Sequence, residues 1–213
     1  MIKKNIILLI SILFFFPSLT FAETISLNLK YTPSPSLTAV SDNKINIGFS
    51  GIIDSRQREN KSLVGERINY SGSKDFLAPA GISVEDAVAG MVSEYFKRKG
   101  FQWKKVEKWN LSPDAIKEDW GDIVVGGEIL ELWNDVTSKV MNNNHKVKAK
   151  LKIVVANAKE KRILWTDTAT TSLEMKEPLF HEESAEKIIN EAASSCIENI
   201  FEDKAFKEII GIK

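Results

Sequence analysis

Residues 146–155 read KVKAKLKIVV, and such an alternation of lysine with apolar side chains is typical of a β-strand with one buried face. The side chains predicted to face the interior are Val147, Ala149, Leu151 and Ile153. Two further β-rich segments, 122–136 and 163–171, flank this strand and are joined to it by short polar links. Short links favour antiparallel neighbours, so the three segments predict an antiparallel sheet.

Two amphipathic helices are predicted on either side of these strands. Apolar residues recur at helical spacing over 84–99, after a capping pattern that begins at Ser83, and again over 185–201. Two more strands are predicted over 25–31 and 45–54. Together these elements predict an α+β fold in which an antiparallel sheet of about five strands carries two main helices packed on one face.

The N-terminal residues have the layout of a secretory signal peptide. Lys3 and Lys4 precede an apolar run at 6–16, and small residues end the stretch at Ala22. We predict cleavage after Ala22 and a periplasmic location. Within the periplasm, a position peripheral to the outer membrane is the second alternative. The alternative is an uncleaved anchor, although the run is shorter than the roughly 20 residues that span a bilayer.

Cleavage would divide the chain into simple parts. The predicted parts are a signal peptide at 1–22, an N-terminal strand and connector at 23–44, and a single α+β domain at 45–213. The whole sequence has 29 basic and 29 acidic residues, and loss of the two leader lysines would change its net charge from 0 to −2. A chain of this charge is not expected to bind nucleic acid.

The sequence offers little for catalysis. One Cys and two His residues are too few for a disulfide framework or an ordinary zinc site. Cys196 lies on the apolar face of the last predicted helix and is expected to be buried. His145 and His181 lie in polar segments and are expected at the surface. We therefore predict no enzyme activity, no cofactor and no metal.

Four lysines form the first candidate binding surface: Lys146, Lys148, Lys150 and Lys152. Alternate residues of a strand advance by two rises, so their side chains would be about 7 Å apart. Such a row could meet lipid phosphates, glycan carboxylates or an acidic partner. The alternative is that the lysines keep the solvent face soluble and discourage edge pairing, neutralised by carboxylates such as Glu128, Glu131 or Asp167.

Two tryptophans extend this candidate surface. Trp109 and Trp120 flank a turn at Ser112-Pro113, whereas Trp133 and Trp165 lie in periodic strands. Residues beside a turn are more often at the surface, so we expect Trp109 and Trp120 to be exposed and Trp133 and Trp165 to be in the core.

A candidate loop site follows the second predicted strand. Asp54 and Arg56 end that strand, and Gly65 follows about ten residues later. Loops at strand ends often carry function, so these residues form a candidate ligand site. The alternative is structural: Asp54 caps a turn, and Gly65 adopts a left-handed conformation.

The order of these features is similar to a known family. A strand ending in Asp54 and Arg56, the Gly65 loop, a helix ending in Arg98-Lys99-Gly100-Phe101, the strands of 122–171 and a final Ala/Ile-rich helix occur in turn. This order resembles the YajG-like family of bacterial envelope lipoproteins. The resemblance implies an envelope location and provides no catalytic residues. The chain departs from the family at Glu23, which stands where a lipoprotein would have its acylated Cys.

These observations predict an exported protein that binds or scaffolds a component of the cell envelope. Its expected partner is an envelope protein. The alternative is a binding module for an anionic lipid or glycan, which would use the lysine row and exposed tryptophans. A hydrolase is a more distant third.

Overall fold

The computed structural model describes residues 22–39 and 44–211. The predicted signal peptide, apart from Ala22, lies outside the described residues. Within these ranges the strands are β1 (Thr24–Leu27), β2 (Asn46–Asp54), β3 (Gly65–Ile68), β4 (Lys74–Pro79), β5 (Gln102–Lys105), β6 (Ile123–Lys139), β7 (Asn142–Asn157) and β8 (Arg162–Glu177). The α-helices are α1 (Val84–Lys99), α2 (Glu182–Phe201) and α3 (Lys204–Ile209).

The sheet is organised around β6, its longest strand. One edge of β6 pairs along its length with β7, which in turn pairs with β8, both antiparallel. The other edge of β6 is shared, because β2 pairs with its first half and β3 with its second half, both parallel. A β3–β4 hairpin, a parallel β1 beside β4 and a parallel β5 beside β2 complete the sheet.

The predicted combination of helices and sheet is confirmed, but the prediction of about five antiparallel strands is wrong. The described residues form a curled, mixed sheet of eight strands. The antiparallel pairs are hairpins, which short links make visible in the sequence. The parallel pairs join distant segments, such as Ile47 beside Ile123, and no local pattern specifies such a partner.

The alternation in β7 separates two faces of the sheet. Val147 and Leu151 are buried on the face that carries α1 and α2, which we call the inner face. The lysines of β7 lie on the opposite, outer face. Helix α1 begins as predicted, with Ser83 Oγ accepting from Asp86 N at 3.0 Å, and ends at Gly100 in a left-handed conformation with φ 80°.

A second, smaller core covers part of the outer face. Residues 106–122 fold over the start of β6 in two short 3-10 turns, Pro113–Ala115 and Glu118–Trp120. Trp109 and Trp120 pack there against Val124 and Val154. Gly126 makes room for this layer, since a Cβ on it would lie 3.0 Å from the Trp109 ring and 2.6 Å from Ser50 Oγ.

No helix within 22–39 and 44–211 combines the length and the hydrophobicity that a membrane span requires.

Two glycine substitutions test this layered packing. Gly126→Ala should lower the free energy of unfolding by about 1–3 kcal/mol, because the added methyl group overpacks the outer core. Gly90→Ala should raise it by about 0.5–1 kcal/mol, because a Cβ at this helical position meets nothing within 4 Å. Urea denaturation of both variants measures the two changes, and equal signs would contradict the packing described.

Candidate binding surface

The four predicted lysines lie in one row on the outer face of the sheet. The row is in the interior of the sheet, because β7 has β6 on one side and β8 on the other. The lysines therefore do not protect a sheet edge, and that part of the alternative interpretation is wrong. Two of them are paired: Lys152 Nζ lies 2.8 Å from Glu128, and Lys146 Nζ lies 3.6 Å from Glu174.

The middle of the row, Lys148 and Lys150, is not neutralised in this way. Neither lysine forms an ion pair with a residue in the described ranges. Glu131 lies beside Lys150 in the β6–β7 register but pairs with Arg58 at 2.9 Å instead. Asp167 lies opposite Ile153 and so belongs to the inner face. A pair of lysines therefore remains at the centre of the outer face without a carboxylate partner among these residues.

The prediction that Trp109 and Trp120 are exposed is wrong. Their exposed fractions are 1% and 5%, because both rings belong to the small outer core. Trp109 Nε1 donates to the carbonyl of Ser112 at 2.7 Å, so the ring and its polar group are both satisfied inside the protein. The turn at Ser112-Pro113 does exist, but it folds back onto the sheet instead of projecting into solvent.

Asp54 and Arg56 of the candidate loop site form a buried ion pair. Arg56 Nε donates to Asp54 Oδ1 at 2.9 Å and Nη2 donates to Oδ2 at 2.8 Å. The remaining guanidinium hydrogens go to the carbonyls of Lys61, Leu63 and Leu132. Burial opposes ionisation of Asp54, but the hydrogen bonds from Arg56 outweigh it, and the pKa of this carboxyl lies below its ordinary value.

This ion pair is structural, since all five guanidinium hydrogens are engaged within the protein. Gly65 also has a packing role, because a Cβ on it would lie 2.4 Å from the carbonyl oxygen of Asn134. Together these residues hold loop 55–64 against β6, and the loop forms one wall of a groove on the outer face.

We call this feature the outer groove. It has a volume of about 640 Å³, and its floor includes Phe76, Ala78 and Trp133. Arg58 reaches from the loop over the Trp133 ring, with its guanidinium carbon 4.0 Å from the ring centre. Because Trp133 is opposite Lys148 in the β6–β7 register, the groove adjoins the unneutralised lysines. Trp133 was expected in the core and is largely buried, but its cation–π contact with Arg58 was not predicted.

His145 is a second residue whose predicted position is wrong. The polar sequence before it is typical of a turn, but β7 already begins at Asn142, so His145 points to the inner face and is fully buried. His145 Nδ1 lies 3.3 Å from Asn134 Nδ2, and His145 Nε2 lies 2.9 Å from Glu177 Oε1. Phe180 stacks on the ring at 5.9 Å. The imidazole thus ties the β8–α2 connection to the sheet.

The surroundings of Glu177 and Cys196 shift their pKa values in opposite directions. Burial opposes ionisation of Glu177, but hydrogen bonds from Ser184, His145 and the backbone of His181 outweigh it and lower its pKa. Cys196 is buried as predicted, and burial raises the pKa of its thiol to about 11. His181 is exposed, as predicted.

Comparison with protein families identifies the group to which this fold belongs. A family model described as uncharacterized lipoprotein matches residues 43–211. The chain belongs to this lipoprotein family. The resemblance noted in the sequence is confirmed at that level, and membership in a lipoprotein family indicates the cell envelope.

One solved structure with a TM-score above 0.5 shows the same fold as this lipoprotein-family chain. Protein XCC0632 from Xanthomonas campestris, of family DUF330, matches with a TM-score of 0.54 at 11% identity, covering 89% of this chain and 97% of that one. A homolog of neuraminyllactose-binding hemagglutinin from Helicobacter pylori matches with a TM-score of 0.49 at 12% identity, covering 87% and 96%. No curated protein sequence matches the chain.

Replacement of Arg56 tests whether the buried ion pair holds the loop. Arg56→Met would leave the Asp54 carboxylate buried without its partner and should lower the free energy of unfolding by about 3–5 kcal/mol in urea denaturation. Arg58→Met is the matched control, because its ion pair is half-exposed, and it should cost about 1 kcal/mol. Similar losses at the two positions would contradict the structural role of Arg56.

The lowered pKa of Glu177 predicts a pH dependence of stability. A carboxyl whose pKa falls on folding contributes stability above its unfolded pKa, which is ordinarily about 4.5, and this contribution is lost as pH falls through the folded value. Wild type should therefore be more stable than Glu177→Gln at pH 7, and the gap should shrink as the pH falls below about 4.5. Urea denaturation across this range measures it, with Glu182→Gln as the exposed control. A gap that stays constant would exclude the mechanism.

Proposed function

We propose that the chain is an exported, non-catalytic factor that binds or scaffolds another protein of the cell envelope. Its contact surface would be the outer groove together with Lys148 and Lys150. The observation that carries this proposal is the presence of two lysines without carboxylate partners among the described residues, in the middle of one sheet face.

The surroundings of these lysines support a protein partner. Exposed or half-exposed groups of both signs lie around them on the same face, including Glu66, Arg58 and Glu174. A surface with charges of both signs in fixed positions suits a partner with a complementary pattern, because like charges would exclude wrong partners. The groove beside them offers apolar contact from Phe76 and Ala78.

The residues best suited to chemistry support a non-catalytic role. The Arg56 guanidinium and the His145 ring are engaged by partners inside the protein. The Cys196 thiol is buried with a raised pKa, so it remains protonated at neutral pH.

The alternative is that the same lysines bind an anionic lipid or glycan. The short distance between Lys148 and Lys150, about 7 Å along the strand, would suit two negative groups on one ligand. The buried positions of Trp109 and Trp120 remove the stacking part of this alternative, and the lysines alone remain to support it.

A double charge reversal tests both versions. Lys148→Glu with Lys150→Glu should reduce recovery of the partner at least tenfold when the tagged chain is captured from envelope extract and bound species are quantified by mass spectrometry. One protein recovered near equal stoichiometry and lost in the variant supports the scaffold. An anionic lipid or glycan lost in the variant supports the alternative.

The matched control carries the same change in net charge elsewhere. Lys105→Glu with Lys187→Glu alters exposed lysines on β5 and α2, away from the outer groove. It should leave recovery unchanged. If the two double variants behave alike, the outer-face lysines are not the contact surface.

A further inference from the structure

Exposed apolar side chains gather at one end of the sheet. The described residues include six large hydrophobic side chains that are exposed, and five of them lie at or beside three chain reversals at this end: Ile68, Tyr70, Val140, Met141 and Leu179. Val140 and Met141 form the β6–β7 turn and are 87% and 83% exposed. We call this set the apolar tips.

The strand register brings these three reversals to the same end. Ile68 pairs with Thr137, so the β3–β4 turn that carries Tyr70 lies beside the end of β6. Asn143 pairs with Glu177, so the β8–α2 connection that carries Leu179 lies beside the start of β7. The tips therefore span the ends of β3, β6, β7 and β8, a width of roughly 15–20 Å at normal strand spacing.

The chain also enters the fold at this end. Thr24 pairs with Phe76, and the carbonyl of Glu23 accepts from Phe76 N at 2.7 Å, close to where β4 begins. Strand β1 then runs away from the tips, parallel to β4. The 21 residues before Ala22, which contain the apolar run at 6–16, are therefore joined to the fold beside the apolar tips.

We infer that the apolar tips contact the surface of a lipid bilayer. In the uncleaved form of the leader, the chain would leave a membrane immediately before Ala22 and present this end of the sheet to it. The tips are separate, exposed side chains at or beside three chain reversals. This form suits shallow insertion among lipid headgroups.

The charges around the tips indicate that apolar contact contributes most to their attraction to a bilayer. Exposed groups of both signs surround this end: Lys74, Lys139, Lys176, Glu182 and Glu183. Attraction to anionic lipid is therefore partly cancelled by the carboxylates. A zwitterionic phosphatidylcholine bilayer is the appropriate probe.

Site-specific labelling tests the inference. The chain purified from an exporting host would carry Met141→Cys or, in a second variant, Tyr70→Cys, each labelled with an environment-sensitive fluorophore. The only native thiol, Cys196, is fully buried with a raised pKa and should not react. With phosphatidylcholine vesicles, the labels should shift to the blue and become at least fivefold less accessible to iodide.

The matched control is Ile82→Cys. Ile82 is also exposed, at 51%, but it follows β4 and lies at the opposite end of that strand. Its label should show no shift. If the labels at positions 141 and 82 are quenched equally in the presence of vesicles, the inference fails, whatever the N-terminus of the purified chain.

A four-residue variant gives an independent measurement. Replacing Tyr70, Val140, Met141 and Leu179 by Ser should lower vesicle protection of a label placed at exposed Ile68→Cys at least fivefold, and unchanged protection would overturn the inference. All four side chains are exposed, so folding should be preserved and is checked by urea denaturation. This variant keeps the outer-face lysines, so it should still capture a protein partner through Lys148 and Lys150. Failure of the membrane inference can therefore be distinguished from failure of the proposed function.

Discussion

The backbone N–H and C=O groups on the edge of β6 that faces away from β7 need hydrogen-bond partners. The fold depends on which groups supply them. Strand β2 covers the first half of that edge and β3 the second. Between them Ser55 N donates to the carbonyl of Ile129, and Arg56 donates a guanidinium hydrogen to the carbonyl of Leu132. The arginine side chain thus replaces a strand at the point where the chain leaves the sheet. An unpaired buried carbonyl would cost about 1–3 kcal/mol, and the paired Asp54 carboxylate keeps the guanidinium charge compensated there.

The contact of Arg56 with the edge of β6 also shapes the outer groove, the surface that we propose for binding. Because Arg56 closes the gap from the side, loop 55–64 is free to project as the wall of the outer groove. Arg58, two residues later, reaches the outer face and covers Trp133. It also takes Glu131 as its partner, which leaves Lys150 without that carboxylate. The unneutralised lysines are thus a consequence of the loop that the buried ion pair holds.

Local pattern and long-range pairing contributed differently to what could be predicted. The alternation of β7, the cap at Ser83 and the periodicity of α2 are set by neighbours in sequence, and all three elements were predicted. The parallel pairing of β2 and β3 with β6 depends on segments far apart in the chain, so it could not be. Trp109 shows the same dependence on long-range packing. The turn beside it is predicted from local sequence, but the sheet surface against which the ring packs comes from distant segments. Glycines inside strands, such as Gly126 and Gly48, are the signal in the sequence that something approaches the backbone there.

The two proposed surfaces are separated by the geometry of β7. Met141 lies at its start, and Lys148 follows seven residues later, which at the rise of a strand is about 23 Å. With the tips on a bilayer and the strands directed away from it, Lys148 and Lys150 stand two or more Debye lengths from the headgroups at physiological salt. Their attraction to lipid phosphates would be screened at that distance. A sheet lying flat on the membrane would reverse this, placing the lysines on the lipid and the tips at its side. The lysines therefore bind lipid only when the sheet lies flat, an orientation that removes the tips from the bilayer. In the upright orientation they remain available to a partner that approaches from the side.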